Sequence, residues 1–345
     1  MPVGIAAVLL CLQALPADDL AKRVAGRVDF FAIALLAIGL GSMQAVLEEG
    51  NSEDWFDSPM IITLAVASIA GLVMFVLREL RSDNPVVDLR VLRYRSLWAG
   101  SLLSIVIGVA LYGALFAVPI FAQSILGFTS QQTGLLLLPG ALTSAVMMIV
   151  AAYLVRRFDP RYVLVAGGLI LVLALTQLGS LSVSTGESQL WWPLIIRSVG
   201  TVLMFLPLTL ATVGPLPKQD MAAATGFFNL TRQLGGSIGV AMLSTVLDHR
   251  VAFHRATLVE HLSTTDPRVF DRVATLERMF TSHGSSAADA HLKALALLNS
   301  TISRQASVLS FNDTFWVTAI LVLVFLPLIF LLGKPKGEAD LVGVH

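Results

Sequence analysis

The sequence is short of charged side chains. Charged residues make up 13% of its 345 residues, whereas hydrophobic residues make up 56% and the mean hydropathy is +0.79. Soluble domains carry about 25% charged residues. A soluble chain of this composition would lack the polar surface that covers a core. The sequence therefore predicts an all-α polytopic membrane protein.

Cysteine and clustered histidine are also missing. Cys11 is the single cysteine, which excludes an intrachain disulfide and a metal site built on cysteines. The six histidines are scattered and form no HExxH motif. No hydrophobic stretch offers paired aspartates or a Ser/His arrangement, so we expect no enzyme and no metal site. The formal net charge of zero gives no basic excess that would indicate a nucleic-acid partner.

Long apolar runs are what the sequence has in abundance. A membrane-spanning helix requires about 20 mainly apolar residues, and eight stretches meet this requirement. Residues 3–15 are apolar but too short to span, and we interpret them as the second half of a helix. The eight predicted spans are 30–47, 59–77, 97–121, 133–155, 162–181, 190–213, 221–247 and 314–332.

The short connections between the predicted spans alternate between those that carry Lys and Arg and those that do not. The short connections on one side carry none, while those on the other side carry several each. Because positive charge marks the cytoplasmic side, we expect a cytoplasmic C-terminus. The basic connections are 17–29, 78–96 and 156–161, and those without Lys or Arg are 48–58, 122–132 and 182–189.

The connections divide the chain into four parts. The polar segment 78–96 contains Pro85 and is the longest connection on the basic side, so it is the best internal boundary. The predicted parts are a helix remnant (1–16), a linker with two central spans (17–77), a cytoplasmic linker (78–96) and a six-helix transporter half (97–345).

Residues 248–313 form a long predicted extracytoplasmic loop. Its second half has apolar residues at helical spacing, which predicts an amphipathic helix. This helix either lies on the membrane surface or bundle rim, or docks a partner. The apolar positions are Leu292, Leu295, Ile302, Ala306 and Leu309.

The stretch "FFNLTRQLGGSIGVAML" (227–243) is unusually polar for a span. Asn229, Arg232 and Gln233 lie at i, i+3 and i+4, with Gly236 at i+7, so they share one helix face. Charges in a bilayer are costly and usually face a protein interior or a wet cavity. This face is therefore a candidate substrate pathway. Two alternatives for Arg232 stay open: it snorkels to the interface, or it bonds to carbonyls of a neighbouring helix.

The same stretch carries small residues for close helix packing. Gly235 and Gly239 form a GxxxG pattern on a face adjacent to the polar one, and small residues there let a neighbouring helix approach. Three prolines interrupt other spans and favour kinks, which are common in helices that rock. These prolines are Pro119, Pro139 and Pro207.

Other polar residues inside spans are further pathway candidates. Arg197 either snorkels outward towards Trp191 and Trp192, or lines an outer vestibule as a cation. Tyr112, in the span 97–121, and Gln123, just after it, are candidates for substrate contact. No carboxylate is predicted at mid-membrane. Since proton coupling usually requires an intramembrane acid, we expect any such acid to lie outside this chain.

Several motifs together resemble one family. "FNLTRQLGGSIG" (228–239), "PIFAQSILGFTSQQTGLLLLPGAL" (119–142) and "FNDTF" (311–315) are similar to the corresponding segments of major facilitator superfamily antiporters with fourteen helices, the EmrB/QacA type. The resemblance covers essentially the whole chain. It implies that the chain begins in mid helix six, with 30–47 and 59–77 as the two extra central helices. The family's N-terminal half, which holds its membrane-embedded acids, would then be missing.

The resemblance also implies a location, the cytoplasmic (inner) membrane of a bacterium, and a function. Such a protein exports amphipathic, often cationic small molecules in exchange for protons, with the proton gradient and no cofactor as energy source. The long loop 248–313 is similar to that of members that work with a periplasmic adaptor. "LVRRFDPRY" (154–162) resembles a cytoplasmic loop motif, in which Arg157, Asp159 and Arg161 would latch one state. Simple positive-inside anchoring is the alternative for these three residues.

A rival interpretation assigns the chain no transport of its own. It would then be an incomplete product, or an accessory membrane subunit that pairs with a separate N-terminal half. Co-purification of a six-span partner would favour the accessory subunit.

Overall fold

The computed structural model describes residues 29–82, 89–217, 220–260 and 267–332, and every regular element within them is helical. The predicted helix remnant 1–16, most of the basic segment 17–29 and the C-terminal tail lie outside these ranges. Within the described ranges, nine α-helices follow one another: α1 (Phe30–Glu49), α2 (Pro59–Arg81), α3 (Arg95–Ser124), α4 (Ser130–Arg157), α5 (Pro160–Leu178), α6 (Glu187–Val213), α7 (Met221–Glu260), α8 (Pro267–Ser282) and α9 (Ala287–Phe325).

Short 3₁₀ segments precede or follow several of these helices. They are Trp55–Asp57, Leu89–Arg93 and Leu326–Leu331. Polar caps begin several helices, because a side-chain oxygen there accepts from otherwise free backbone N–H groups. Asp29 caps α1, Thr129 forms a capping box with Gln132 at α4, and Asp159 caps α5.

Seven helices in the described part of the chain are long and apolar enough to cross a membrane. They are α1 to α6 and α9, and they correspond to seven of the eight predicted spans. The predicted spans 162–181 and 314–332 extend a few residues beyond the ends of α5 and α9. The eighth predicted span, 221–247, lies in α7, which is too polar to qualify by composition because of residues such as Asn229 and Arg232. It nevertheless packs inside the bundle, against α3 and α9. These features confirm the predicted all-α polytopic membrane fold.

The predicted loop 248–313 is mostly helical. Helix α7 continues beyond the predicted span to Glu260, and α9 begins at Ala287 and runs without interruption into the last span. At 1.5 Å per residue, the 40 residues of α7 extend about 60 Å, roughly twice the hydrocarbon thickness of a bilayer. The amphipathic segment is therefore the first half of α9. Leu292 and Leu295 are exposed there, while Ala306 is fully buried.

Helices α3 to α7 and α9 pack around one apolar core. Phe121, Phe228 and Phe315 are almost fully buried in it, and Phe121 contacts the ring of Phe311 edge-on at 5.4 Å. Where α7 and α9 leave the core, Oδ2 of Asp313 lies 2.7 Å from Nε2 of His254 and 3.3 Å from Nε of Arg250, with which it forms an ion pair. This contact joins the two long helices where they leave the core.

The α1–α2 hairpin stands beside α7. Its two helices cross closely, since a Cβ on Gly71 would lie 3.0 Å from the Cα of Gly39. Arg78 pairs with Asp29 at 2.7 Å, and this hydrogen bond lowers the pKa of the Asp29 carboxyl. Two side-chain hydrogen bonds connect the hairpin to α7, from Ser237 to Gln44 and from Asn51 to Asp248.

Candidate substrate pathway

Helix α7 presents one face to α3 with almost no gap between the backbones. A Cβ on Gly235 would lie 2.6 Å from the Cα of Ile105, and one on Gly239 would lie 2.6 Å from the Cα of Val109. Gly108 of α3 is packed equally closely, since a Cβ added to it would lie 2.5 Å from the carbonyl oxygen of Arg232. Real Cβ atoms do not approach other atoms this closely, so the contact requires glycine on both helices.

A buried hydrogen bond fixes the register of this contact. The hydroxyls of Ser104 on α3 and Thr231 on α7 are 2.9 Å apart, and both side chains are buried. One hydroxyl donates to the other, which in turn donates to a carbonyl of its own helix; that carbonyl is Ser101 for Ser104 or Phe228 for Thr231. Because buried polar groups are costly without partners, these bonds favour one alignment of α3 and α7.

The polar face of α7 meets side chains from two other helices. The Arg232 guanidinium lies over the ring of Phe205 on α6, 4.5 Å from its centroid. The Tyr112 hydroxyl on α3 donates to the Gln233 side-chain oxygen at 3.4 Å. Gly236 leaves room for the Tyr112 ring, because a Cβ there would lie 2.6 Å from it. The structure thus brings Arg232, Gln233 and Tyr112 together around α7.

Exposure differs along this polar face. Arg232 and Tyr112 are partly buried, whereas Asn229 and Gln233 are exposed. Arg232 is held by an aromatic ring of a neighbouring helix rather than by a backbone carbonyl among its described contacts. A cation in such a position can bind an anion, or can be displaced from the ring by another cation. We call Arg232, Gln233, Tyr112 and Phe205 the aromatic–arginine site.

Arg197 lies at a second polar point. It is 8% exposed and lines a cavity of about 200 Å³ between α3, α4 and α6. Its buried Nε atom has no hydrogen-bond acceptor within the described residues. Trp191 and Trp192 are 44% and 65% exposed, but the arginine side chain is enclosed. In this conformation Arg197 faces an interior cavity and does not snorkel outward.

The other predicted pathway and hinge residues are dispersed. Gln123 is exposed at the end of α3, about 16 Å along the helix from Tyr112 at 1.5 Å per residue. The three prolines lie within continuous helices, Pro119 in α3, Pro139 in α4 and Pro207 in α6. The structure does not bring Gln123 to the aromatic–arginine site. The rocking role of the prolines stays a prediction.

The predicted latch residues surround the turn between α4 and α5. Arg157 donates to the Tyr153 hydroxyl at 2.8 Å, and the Asp159 carboxylate accepts from the backbone N–H of Arg161 at 3.0 Å. Within the described residues, Asp159 forms no ion pair with either arginine. Asp159 acts here as a helix cap, and the latch stays a prediction for another conformation.

Carboxylates are absent from the centre of the bundle in the ranges that the structure covers. Glu79 is the one buried acidic side chain there, at 4% exposure, and it lies two residues before the end of α2. The aromatic–arginine site therefore contains cationic, amide and aromatic groups only.

Sequence reasoning missed Phe205 as a member of the site. It is one of several aromatic residues in an apolar helix, and its own position carries no polar signal. A usable signal does exist: Phe205 follows Arg197 and Thr201 at successive steps of four residues on α6. Residues spaced in this way share a helix face, so a face that carries Arg197 also carries Phe205.

Comparison with known proteins agrees with this architecture. The sequence profile of the Major Facilitator Superfamily matches residues 5–240. The multidrug export protein EmrB of Escherichia coli K12 is 29% identical over 339 residues, 98% of this chain and 64% of its own length. The fatty acid resistance protein FarB of Neisseria gonorrhoeae is 27% identical over 335 residues, 97% of this chain and again 64% of its own. The chain thus spans less than two thirds of these relatives.

A solved structure shares the fold. The bacterial homolog of the human lysosomal transporter Spinster, in an inward-facing and occupied conformation, superposes with a TM-score of 0.51 at 13% sequence identity. The match covers 88% of this chain and 67% of that one. Together these relationships confirm the predicted class of protein, a polytopic membrane protein of a transporter family. The chain belongs to the Major Facilitator Superfamily.

Proposed function

We propose that the chain forms the C-terminal part of a fourteen-helix exporter of amphipathic, often cationic small molecules, driven by the proton gradient without a cofactor. The aromatic–arginine site carries this proposal. Rings from α3 and α6 offer π faces to an organic cation, and Gln233 offers a hydrogen-bonding amide. The 29% identity to a protein named for multidrug export supports the same substrate class.

The site suggests how substrate binding acts on the helices. The Arg232 guanidinium covers one face of the Phe205 ring in this conformation. A cationic substrate that stacks on Phe205 repels the guanidinium and displaces it from the ring. Since α3 and α7 are in backbone contact through glycines, the displaced α7 carries α3 with it. Rocking of one bundle against another around a central site is the established principle of such transporters.

The remaining parts of the chain are assigned in the same scheme. We propose that α1 and α2 are the two extra central helices, and that the acid required for proton coupling lies outside the described residues. The arginine-rich helix ends, such as Arg78 of α2 and Arg157 of α4, would face the bacterial cytoplasm together with the C-terminus. The helical arm of α7 to α9 would extend into the periplasm, where an adaptor protein would bind it.

An accessory or incomplete subunit is the second candidate. The absence of a buried mid-bilayer carboxylate from the described residues favours it, because a proton-coupled transporter requires such a group. In that case the chain would bind a six-span partner that supplies the acid, and would transport nothing alone.

Ethidium accumulation distinguishes the two candidates. The chain is expressed alone and, in parallel, joined to the N-terminal part that completes the fourteen helices, in a bacterial host that lacks its own exporters of this class. Cellular ethidium is measured with membrane abundance as control. The exporter proposal predicts that the completed protein lowers ethidium below the level of an empty vector, and that a protonophore removes the difference. Accumulation equal to the empty vector, with abundant chain in the membrane, would reject export by this chain alone. Co-purification of a six-span protein would then support the accessory subunit.

A further inference from the structure

The cavity around Arg197 is chemically different from the aromatic–arginine site. We infer that it binds the anionic headgroup of a single-chain amphipathic molecule, of which an alkyl carboxylate is the simplest example. This inference deepens the proposed function, because it assigns a second, anionic ligand class to helix α6. Binding can be measured without export, so the two proposals can fail separately.

The charge of Arg197 is not compensated within the described residues. Arg197 is 8% exposed, and within the described residues its Nε atom has no acceptor. It lies ten residues after the start of α6 at Glu187, about 15 Å along the helix axis. A buried cation without a partner is costly, whereas an anionic ligand would both neutralise the charge and accept the free N–H.

The lining of the Arg197 cavity combines apolar side chains with hydroxyls. Leu111, Leu115 and Leu137 provide apolar walls, and Ser198 and Thr201 provide hydroxyls on the same helix as the arginine. No acidic side chain is among the described residues that line it. Ser144 of α4 adds a third hydroxyl to the lining. One fixed cation, three hydroxyls and apolar walls match a molecule with an anionic end and a hydrocarbon body.

The volume of the Arg197 cavity suits a small headgroup. Sites for drug-sized ligands occupy roughly 300 to 1,000 Å³, and this cavity has about 200 Å³. It can therefore enclose a headgroup and the first part of a chain, but not a bulky polycyclic drug. Arginine suits this task, since its planar guanidinium donates two parallel hydrogen bonds to one carboxylate.

The binding test compares three amphiphiles with the same ten-carbon chain. The full chain is reconstituted in phosphatidylcholine nanodiscs, and its unfolding midpoint is followed against decanoate, decanol and decylammonium. A ligand that binds the folded state raises the midpoint. We expect decanoate to act at about tenfold lower concentration than decanol, because hydrogen bonds to charged groups are worth at least that factor. Decylammonium should not raise the midpoint.

Variants assign the effect to Arg197. Arg197→Gln should move the effective decanoate concentration to that of decanol, and Arg197→Lys should retain part of the difference. Arg156→Gln, at an exposed arginine, should behave as the unchanged chain does. Without ligand, Arg197→Gln should not lower the midpoint, because it removes an uncompensated buried charge.

Three outcomes would overturn the inference. One is equal action of decanoate on the unchanged chain and on Arg197→Gln. Another is a lower ligand-free midpoint in Arg197→Gln, which would show that the arginine has a partner within the protein. The third is a midpoint raised by phosphatidylglycerol in the nanodisc, in the unchanged chain but not in Arg197→Gln. The ligand would then be a two-chain lipid.

Discussion

The guanidinium of Arg232 on α7 stacks on the ring of Phe205 on α6, with its central carbon 4.5 Å from the ring centroid. The two residues come from helices separated by a turn of the chain, and both side chains are partly buried. A cation–π contact of this kind contributes about 0.5 to 2 kcal/mol, depending on how far it is removed from water. It is strong enough to set a resting position and weak enough for a substrate to replace it.

Phe205→Leu tests the aromatic half of this contact. Leucine keeps the apolar volume but removes the π face, so cationic substrates should be exported several-fold more slowly. Phe205→Tyr should keep most of the activity, because its ring also binds cations. Ethidium export at matched membrane abundance measures the effect. Phe330→Leu, at a 63% exposed aromatic in the last 3₁₀ segment, is the control. An equal loss in both leucine variants would argue against a specific role for Phe205.

Gly235→Ala tests the close packing of α3 on α7. The added methyl would collide with the backbone of Ile105, so the helices must separate, at a cost of about 1 to 3 kcal/mol. Gly226→Ala lies on the same helix and would meet no atom within 4 Å. It should be neutral or should stabilise by about 0.5 to 1 kcal/mol, because alanine favours helix. Unfolding midpoints in detergent measure both, and similar midpoints would contradict the packing described.

Asp29→Asn tests the ion pair at one end of the hairpin. The hydrogen bond from Arg78 lowers the pKa of Asp29, so the pair stabilises the folded state above the unfolded pKa of about 3.9. This stabilisation is lost as the pH falls through the lowered folded pKa. Asparagine still caps a helix, so the substitution removes mainly charge. The unfolding midpoints of the two proteins should differ slightly at pH 7 and converge once the pH falls below the lowered folded pKa of Asp29. A difference that grows on acidification would contradict this assignment.

The spans could be predicted from sequence because segments that contact lipid are made of mainly apolar residues. Seven of them emerge from apolar runs alone, and the ends of six fall within several residues of the observed helix ends. The last is different, because α9 begins at Ala287 and the predicted span begins at residue 314. Helix α7 was different. Its bilayer segment is too polar to qualify by hydropathy, and its extension to Glu260 cannot be predicted from hydropathy, which reports contact with lipid and not where a helix ends in water.

The site could be predicted only in part. Asn229, Arg232 and Gln233 stand out because polar groups in a span are costly, and helical spacing places them on one face. Their partners Phe205 and Tyr112 come from other helices, and that pairing depends on tertiary packing. The direction of Arg197 was undecided for the same reason: only the positions of α3 and α4 decide whether its side chain lies inside or at the interface.

The most direct test of the proposed pathway is ethidium export by Arg232→Ala, compared with Arg156→Ala at equal membrane abundance. Arg156 is an exposed arginine at the end of α4 and lies outside the site. We expect Arg232→Ala, in the completed fourteen-helix protein, to raise cellular ethidium to the level of the empty vector, while Arg156→Ala exports as the unchanged protein does. Full export by an abundant Arg232→Ala protein would contradict the account. So would its loss from the membrane, which would show that Arg232 only holds the fold together.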